Sequence, residues 1–414
     1  MEHAVTLLST ACIFGFFMAW GIGANDVANA MGTSVGSRAL TFVKATIIAA
    51  IFESAGAILA GGQVTQTIRA EIIDPQLFTN TPELLVYGML AALAAASTWL
   101  VIATKRGLPV STTHTVVGAL IGFGLISLGA GDIHWEVVTN IALSWIVTPI
   151  LAAIISYLVF TSIKTLILDH TTPFERAKII TPLYMFAVIF IIAMVTLLKG
   201  LKHLHFNFSD ADNMLFAGLI ASTCMLITYA VLRTKSCKNV TDVMEVEKIF
   251  AILQIITACA MAFSHGANDV ANAIGPLAAI VDIVQSGGVI ATSAGLPFWV
   301  LLLGASGIVI GLATYGYKVI ATIGNHITEL TPSRGFSAEL ATASTVIIAS
   351  GLGLPISTTQ TLVGAVIGVA LARGLWALDL TVVRSIFLSW VITLPAGAAL
   401  AIVYYYLIKT ILGS

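Results

Sequence analysis

The octapeptide Gly-Ala-Asn-Asp-Val-Ala-Asn-Ala fills residues 23–30 and returns unchanged at 266–273. Each copy offers one carboxylate and two carboxamides: Asn25, Asp26 and Asn29 in the first, Asn268, Asp269 and Asn272 in the second. The two Asn of a copy stand four apart and share a helix face, with the Asp beside them. Oxygen-only donors of this kind suit a hard cation, and no His or Cys cluster with transition-metal spacing competes with them. Gly23 and Gly266 permit a tight bend or a close backbone approach. The competing role for each Asp is structural, as acceptor for nearby backbone N–H groups or as cap of a half-helix, and one side chain can fill both roles.

A second pair follows at Gly107-Leu-Pro-Val-Ser-Thr-Thr-His114 and Gly353-Leu-Pro-Ile-Ser-Thr-Thr-Gln360. Pro disfavours helix in the residue before it, and Ser or Thr caps a new one. The spacing predicts an interrupted helix whose fresh N-terminus carries unpaired N–H groups and the positive end of a dipole, a ready anion site. Ser111, Thr112 and Thr113 add hydroxyls to one such end, and Ser357, Thr358 and Thr359 to the other. An ordinary interfacial cap explains one copy as well as an anion site does. Two copies, each with its Pro in place, favour the site. Irregular backbone at membrane depth is tolerated only where it is buried in protein or lines a cavity.

Single residues stand out against this symmetry. Glu53 lies in an apolar stretch, within Glu53-Ser-Ala-Gly56, while the similar Gly304-Ala-Ser-Gly307 has no carboxylate. It reads equally as part of a cation or proton path and as a partner for Lys44 or a polar group on another helix. His114 is matched by Gln360, and His265 by Ile22, so neither His is demanded by the repeat. Hydrogen-bonding roles are expected for both. Gln63, Gln66, Asp74 and Glu83 read as a solvated loop. Trp20, Trp99, Trp145, Trp299 and Trp390 read as interface anchors or core, and the four Cys as packing thiols.

The elements that position these groups must be membrane helices. Of 414 residues, 58% are hydrophobic and 9% charged, against about 25% charged in soluble domains. Lipid must therefore cover most of the surface. Runs long enough to span, about 20 apolar residues, fall near 5–22, 40–60, 84–104, 137–160, 181–199, 213–232, 249–265, 297–322, 338–351 and 381–408. Shorter runs at 27–37, 115–130, 270–284 and 361–373 follow the motifs as half-helices or re-entrant hairpins. A third repeated motif, Leu143-Ser-Trp-Ile-Val-Thr148 and Leu388-Ser-Trp-Val-Ile-Thr393, keeps nearly the same offset as the first two. The expected fold is all-α and polytopic, with about 12 transmembrane segments in two inverted repeats. Residues 1–168 form the first repeat, 169–232 extra helices, 233–248 a linker and 249–414 the second repeat. Residues 1–22 lack Lys and Arg and run into the motif, unlike a cleavable signal. Lys and Arg crowd loops 161–180 and 233–248, which places the linker in the cytoplasm and, with inverted repeats, the N-terminus outside. Net charge is −1 and no basic patch suggests nucleic acid.

At these residues the chain resembles the inorganic phosphate transporter family, PiT, whose hallmark is the signature at 23–29 and 266–272. The segments 107–113 and 353–359 and Glu53-Ser-Ala-Gly56 match as well, and the resemblance covers nearly the whole chain. It implies an inverted-repeat carrier, often a homodimer, that imports inorganic phosphate with a coupling cation. The family divides between Na⁺ coupling and H⁺ or metal-phosphate symport, and Gly32-Thr-Ser-Val-Gly36 looks like the Na⁺-coupled branch. Relatives with an acidic residue in both halves differ from this chain, where Glu53 has no mate. The long soluble insert of some eukaryotic relatives is missing.

The resulting expectation is a multi-pass cell-membrane symporter of phosphate and Na⁺, with H⁺ or metal-phosphate coupling as the alternative and no cofactor. Phosphate would lie between Ser111–Thr113 and Ser357–Thr359, assisted by Asn25 and Asn268. Na⁺ would take Asn25, Asp26, Asn29, Asn268, Asp269 and Asn272, with Glu53 on the coupling path. A buried anion binds tightly only beside cations, because a charge about 4 Å away contributes roughly 4 kcal/mol at an effective dielectric of 20. A membrane hydrolase using Ser111 or Thr112 with His114 and Asp26 fits less well, since Gln360 replaces His114 in the second copy. Paired buried Asp residues also suit an anion channel poorly.

Overall fold

The computed structural model describes residues 4–195, 197, 209–236, 243–290, 296–326, 330–374 and 380–412. Its helices are α1 (Ala4–Asn25), α2 (Val27–Gly36), α3 (Phe42–Ala60), α4 (Gly62–Gln66), α5 (Pro82–Lys105), α6 (Thr112–Ser127), α7 (Trp135–Ile163), α8 (Pro173–Val195), α9 (Asp210–Thr234), α10 (Val243–Gln285), α11 (Phe298–His326), α12 (Pro332–Gly351), α13 (Thr358–Arg373) and α14 (Leu380–Leu412). Among the described residues the one β feature is the bridge between Ile73 and Ile133. Among the described residues, nine helical stretches are long and apolar enough to cross a membrane. With α6, α12 and α13 as further embedded limbs, the architecture meets the expectation of about twelve segments.

Two hairpins replace through-going spans. α5 ends at Lys105, the chain turns through Gly107 at φ 65°, and α6 starts at Thr112. The end of α6 returns to the side where α5 began: Gly88 lies against Phe123, Phe123 stacks on Phe78, and Gly124 lies beside Ile73 and Ile133. α12 and α13 repeat the turn through Gly353 at φ 72°. The end of α2 and the start of α12 share a cavity with the first turns of α10, whereas the last turns of α10 share one with residues 66–76 and Leu85 at the start of α5. The two hairpins thus enter from opposite faces, the arrangement of an inverted repeat.

Each half is built into the other. α1 packs most extensively on α11 and α3 on α10; α6 packs on α14 and α7 on α13. Glycine makes this possible. The carbonyl of Ile308 fills the space a Cβ would need at Gly23, and the carbonyl of Glu53 does so at Gly266. Trp20 and Phe263 carbonyls meet Gly311 and Gly56 in the same way. These reciprocal contacts set the register of α3 against α11. The mate of Glu53 is Ile308, not a residue of the similar Gly304-Ala-Ser-Gly307. Glu53 still has no acidic counterpart.

Three expectations change. Residues 249–265 and 270–284 are not separate segments but parts of one 43-residue helix, α10. At 1.5 Å per residue it is about 65 Å long, twice the hydrocarbon thickness of about 30 Å, so it is longer than one crossing needs. The first copy instead tightens at Asp26, where Asn29 N donates to Asp26 O at 2.8 Å. The loop expected at 161–180 is largely helical, since α7 runs to Ile163 and α8 begins at Pro173. The stretch holding Gln63 and Gln66 is also helical and packs on α10. Lys238 of the linker, which enters the charge argument for orientation, and Lys199 and Lys202, which fall between the two extra helices, lie outside the described residues.

Candidate functional site

The interrupted helices meet. Thr113 Oγ1 donates to the Ile356 carbonyl of the opposite hairpin at 2.8 Å, and Thr359 Oγ1 to the Val110 carbonyl at 3.3 Å. Trp145 Nε1 holds the Pro355 carbonyl at 3.2 Å and Ser389 Oγ the Pro109 carbonyl at 3.4 Å, so α7 and α14 each brace the hairpin of the other half. Ser111 and Ser357 cap their helices, accepting from His114 N and Gln360 N at 3.2 Å each. Thr112 and Thr358 occupy the first helical position, and their N–H groups and those of Thr113 and Thr359 have no carbonyl partner inside the helix. All six hydroxyl residues are buried.

Both signature copies face these termini. Thr112 Oγ1 donates to Asp26 Oδ2 at 2.6 Å, and Thr358 Oγ1 to Asp269 Oδ2 at 2.7 Å. Asn29 Nδ2 reaches Thr358 and Thr359 at 3.2 and 2.8 Å, while Asn272 Nδ2 reaches Thr112 and Thr113 at 3.3 and 3.2 Å. Each Asp therefore holds the hairpin of its own half, and each second Asn crosses to the other. The first Asn has a different task. Asn25 Nδ2 donates to Thr104 Oγ1 at 3.0 Å and the Leu108 carbonyl at 3.1 Å, and its Oδ1 accepts from Val110 N at 3.2 Å. Asn268 Nδ2 likewise donates to Ser350 Oγ at 2.9 Å and the Leu354 carbonyl at 3.2 Å. Asn25 and Asn29 thus serve different hairpins despite their helical spacing.

Within the two signature copies, the buried oxygens without hydrogen-bond partners are Asp26 Oδ1, Asn29 Oδ1, Asn268 Oδ1, Asp269 Oδ1 and Asn272 Oδ1. Such atoms cost free energy unless something electropositive completes them. They are acceptors only, whereas the neighbouring helix ends offer donors. One region can therefore hold cations and an anion together, each compensating the other's desolvation.

On one side the site carries an addition. His265 Nε2 lies 2.9 Å from Asp269 Oδ2, and its Nδ1 lies 3.1 Å from Glu53 Oε1. Asp26, His265 and Asp269 have potential ligand atoms within 4.8 Å of one another. Glu53 thus meets the site through His265 rather than through Lys44. His114 belongs elsewhere: its ring sits 3.8 Å from that of Trp145, in an apolar cavity shared with Pro149, Gln360 and Trp390. A Ser–His–Asp constellation is not assembled.

Two polar groupings escape a reading by motif. Glu339, fully buried on α12, accepts on Oε1 from Thr33 at 2.5 Å, Ser34 at 2.6 Å and Gln254 at 3.3 Å, and on Oε2 from Thr257 at 2.8 Å. Its signal was a carboxylate at the edge of an apolar run. Arg69 pairs with Asp282 near the end of α10. Nothing in the spacing joins those two positions.

Two inverted hairpins meeting at buried helix N-termini, beside partnerless carboxylate and carboxamide oxygens, are the architecture of a membrane transporter rather than of an enzyme. Comparison with known proteins makes this specific. Residues 22–401 match the model of the phosphate transporter family. The chain is 52% identical to a protein of Haemophilus influenzae named a phosphate permease, over 99% of this chain and 98% of that one. It is 44% identical to the chloroplastic inorganic phosphate transporter 2-1 of Arabidopsis thaliana, over 98% of this chain and 73% of that one. A solved structure described as the sodium-dependent phosphate transporter superposes with a TM-score of 0.91 at 41% identity, covering 98% of this chain and all of that one. The chain belongs to the phosphate transporter family.

Proposed function

We propose that the protein is a Na⁺:phosphate symporter with one central site. Phosphate sits between the N-termini of α6 and α13, on the N–H groups of Thr112, Thr113, Thr358 and Thr359, with their hydroxyls and the Asn29 and Asn272 amides as further donors. Ser111 and Ser357 shape those ends as caps. Na⁺ takes the oxygens of Asp26 and Asn29 on one side and of Asp269 and Asn272 on the other. Asn268 Oδ1 can join the second ion. Asn25 is engaged at both ends of its amide and acts by fixing the hairpin loop. Glu53 acts through His265 on Asp269.

The observation that carries this reading is the set of partnerless buried oxygens beside unpaired helix N-termini. Acceptors without donors and donors without acceptors, held together out of water, describe a site awaiting ions of both signs. The same electrostatics gives coupling, because phosphate alone would face the buried carboxylates of Asp26 and Asp269. Two Na⁺ per H₂PO₄⁻ would carry one net charge inward, worth about 2.3 kcal/mol per 100 mV. With the linker in the cytoplasm, import runs toward the start of α10.

H⁺ coupling is the second reading, favoured by His265 standing between two carboxylates. Radiolabelled phosphate uptake into proteoliposomes separates the two. The expected result is uptake driven by an inward Na⁺ gradient and accelerated by a negative interior. Uptake driven by a proton gradient and indifferent to Na⁺ would overturn it. Uptake indifferent to membrane potential would reject the two-to-one ratio.

A further inference from the structure

Two cavities flank the core on opposite faces and carry opposite charge. The larger, about 970 Å³, lies on the linker side among Ser37, Arg38, Glu247, Lys248 and Arg334. The smaller, about 250 Å³, lies at the far end of α10 among Arg69, Glu71, Asp74 and Asp282. They are counterparts in the repeat: Gly36 lines the first and its mate Ala279 the second. One is lined by three cations and one carboxylate, the other by one cation and three carboxylates. On the linker side, Glu247 is occupied by Ser333, whose N and Oγ each lie 2.8 Å from it, and Glu245 pairs with Lys248 at 2.6 Å.

Arg38 is the unusual member. It follows the last turn of α2 with φ 63°, the left-handed region that costs any residue with a Cβ. The opposite end of the path, after α10, uses Gly287 and Gly288 for the same backbone, at φ 70° and 101°. A cation at a helix C-terminus is favoured by the dipole, which accounts for its charge but not for a strained backbone where glycine would serve. Its guanidinium is exposed and makes no hydrogen bond or ion pair among the described residues.

A polar track joins this cavity to the core. Asn29, Thr33, Ser34, Ser37 and Arg38 fall on one stripe of α2 and the turn after it. Ser37 Oγ bonds Gln254 at 2.7 Å, and Gln254 bonds Glu339. The mates along α10 are Asn272, Pro276, Leu277, Ile280 and Val281, of which all after Asn272 are buried and lack a polar side-chain atom. The packing between core and cavity is thus polar on the linker side and apolar on the other.

We propose that the linker-side cavity is a second anion site, taking a phosphate or phosphomonoester group on Arg38 with support from Arg334 and Lys248. Its ligand is either free orthophosphate in transit or the headgroup of a phosphatidic-acid-type lipid. Only the transit role rests on the core being the transport site for phosphate; the binding itself does not.

The test uses the full-length protein in phosphatidylcholine nanodiscs without Na⁺, where the buried carboxylates of Asp26 and Asp269 keep phosphate out of the core. Labelled orthophosphate should still bind, and Arg38→Gly should weaken that binding at least about tenfold, the size of a lost charge-assisted contact. Glycine fits the left-handed backbone, so a loss cannot be ascribed to misfolding, and Arg38→Lys should restore part of it. A second arm replaces orthophosphate with phosphatidic acid in the disc and reads lipid retained on the protein. An Arg38-dependent signal in the first arm identifies free phosphate, and in the second alone, the lipid headgroup. No signal in either arm, or signals that Arg38→Gly leaves unchanged, would overturn the proposal. Failure of Na⁺-dependent binding in the unmodified protein would instead count against the core assignment.

Discussion

The two signature copies are identical in sequence, yet their surroundings are not. Around both Asp26 and Asp269 the same threonine donates to the carboxylate, the same asparagine crosses to the opposite hairpin, and the same glycine admits a neighbouring backbone. Around Asp269 there are also His265 and Glu53. The corresponding positions beside Asp26 are Ile22 and Ile308, both buried. The hydroxyl-bearing helix termini are thus close to twofold, while the surroundings of the two carboxylates are not.

The comparison can be broken most severely at the carboxylates. Asp26→Asn and Asp269→Asn should each reduce Na⁺-dependent phosphate affinity about 100-fold or more, the scale of removing one partner from a buried ion pair. The loss should be greater at Asp269, because His265 loses its partner too. Binding titrations across Na⁺ concentrations check this, and unchanged affinity in both would remove the carboxylates from the site.

Next in size is the asymmetry itself. Glu53→Gln should shift the Na⁺ dependence of uptake about tenfold, the scale of one hydrogen bond to a charged group. Ile308→Val, at the paired position, should leave it unaltered. Equal effects would mean that Glu53 acts only by packing. Thr112→Val and Thr358→Val should weaken phosphate binding by similar factors, roughly five- to tenfold. A large inequality between them would show that phosphate sits off the pseudo-axis. The smallest effect on transport, seen as stability, is expected from Gly23→Ala and Gly266→Ala. Each puts a methyl group into an opposing carbonyl and should cost about 1–3 kcal/mol, read as paired drops in melting temperature in detergent.

Much of this was legible beforehand because repetition in sequence reports repetition in space. Gly-Leu-Pro followed by Ser-Thr-Thr marked both hairpin turns, and the hydroxyls do gather where the helices restart. The cross-links between halves were not legible. Asn29 lies four residues from Asn25, but it answers to Thr358 and Thr359, more than 300 residues away. Glu53 seemed aligned with Gly304-Ala-Ser-Gly307 by similarity, yet the glycine contacts set α3 and α11 in another register. Glu339 went unread in the sequence because its partners Thr33, Ser34, Gln254 and Thr257 come from two distant helices. Local pattern shows which groups are available, whereas tertiary packing decides which of them meet.

The glycine contacts carry one more consequence. They fasten α1 to α11 and α3 to α10, and at Gly118 and Gly364 they fasten α6 to α14 and α13 to α7. Every one of these seams joins the first half of the chain to the second. A molecule cut at the linker would yield two fragments, neither of which could close its own interior, and only their joint synthesis would restore a folded carrier. For the same reason, the moving body in a transport cycle cannot be a single half: any shift that kept these seams closed would divide the protein along a line the gene duplication did not draw.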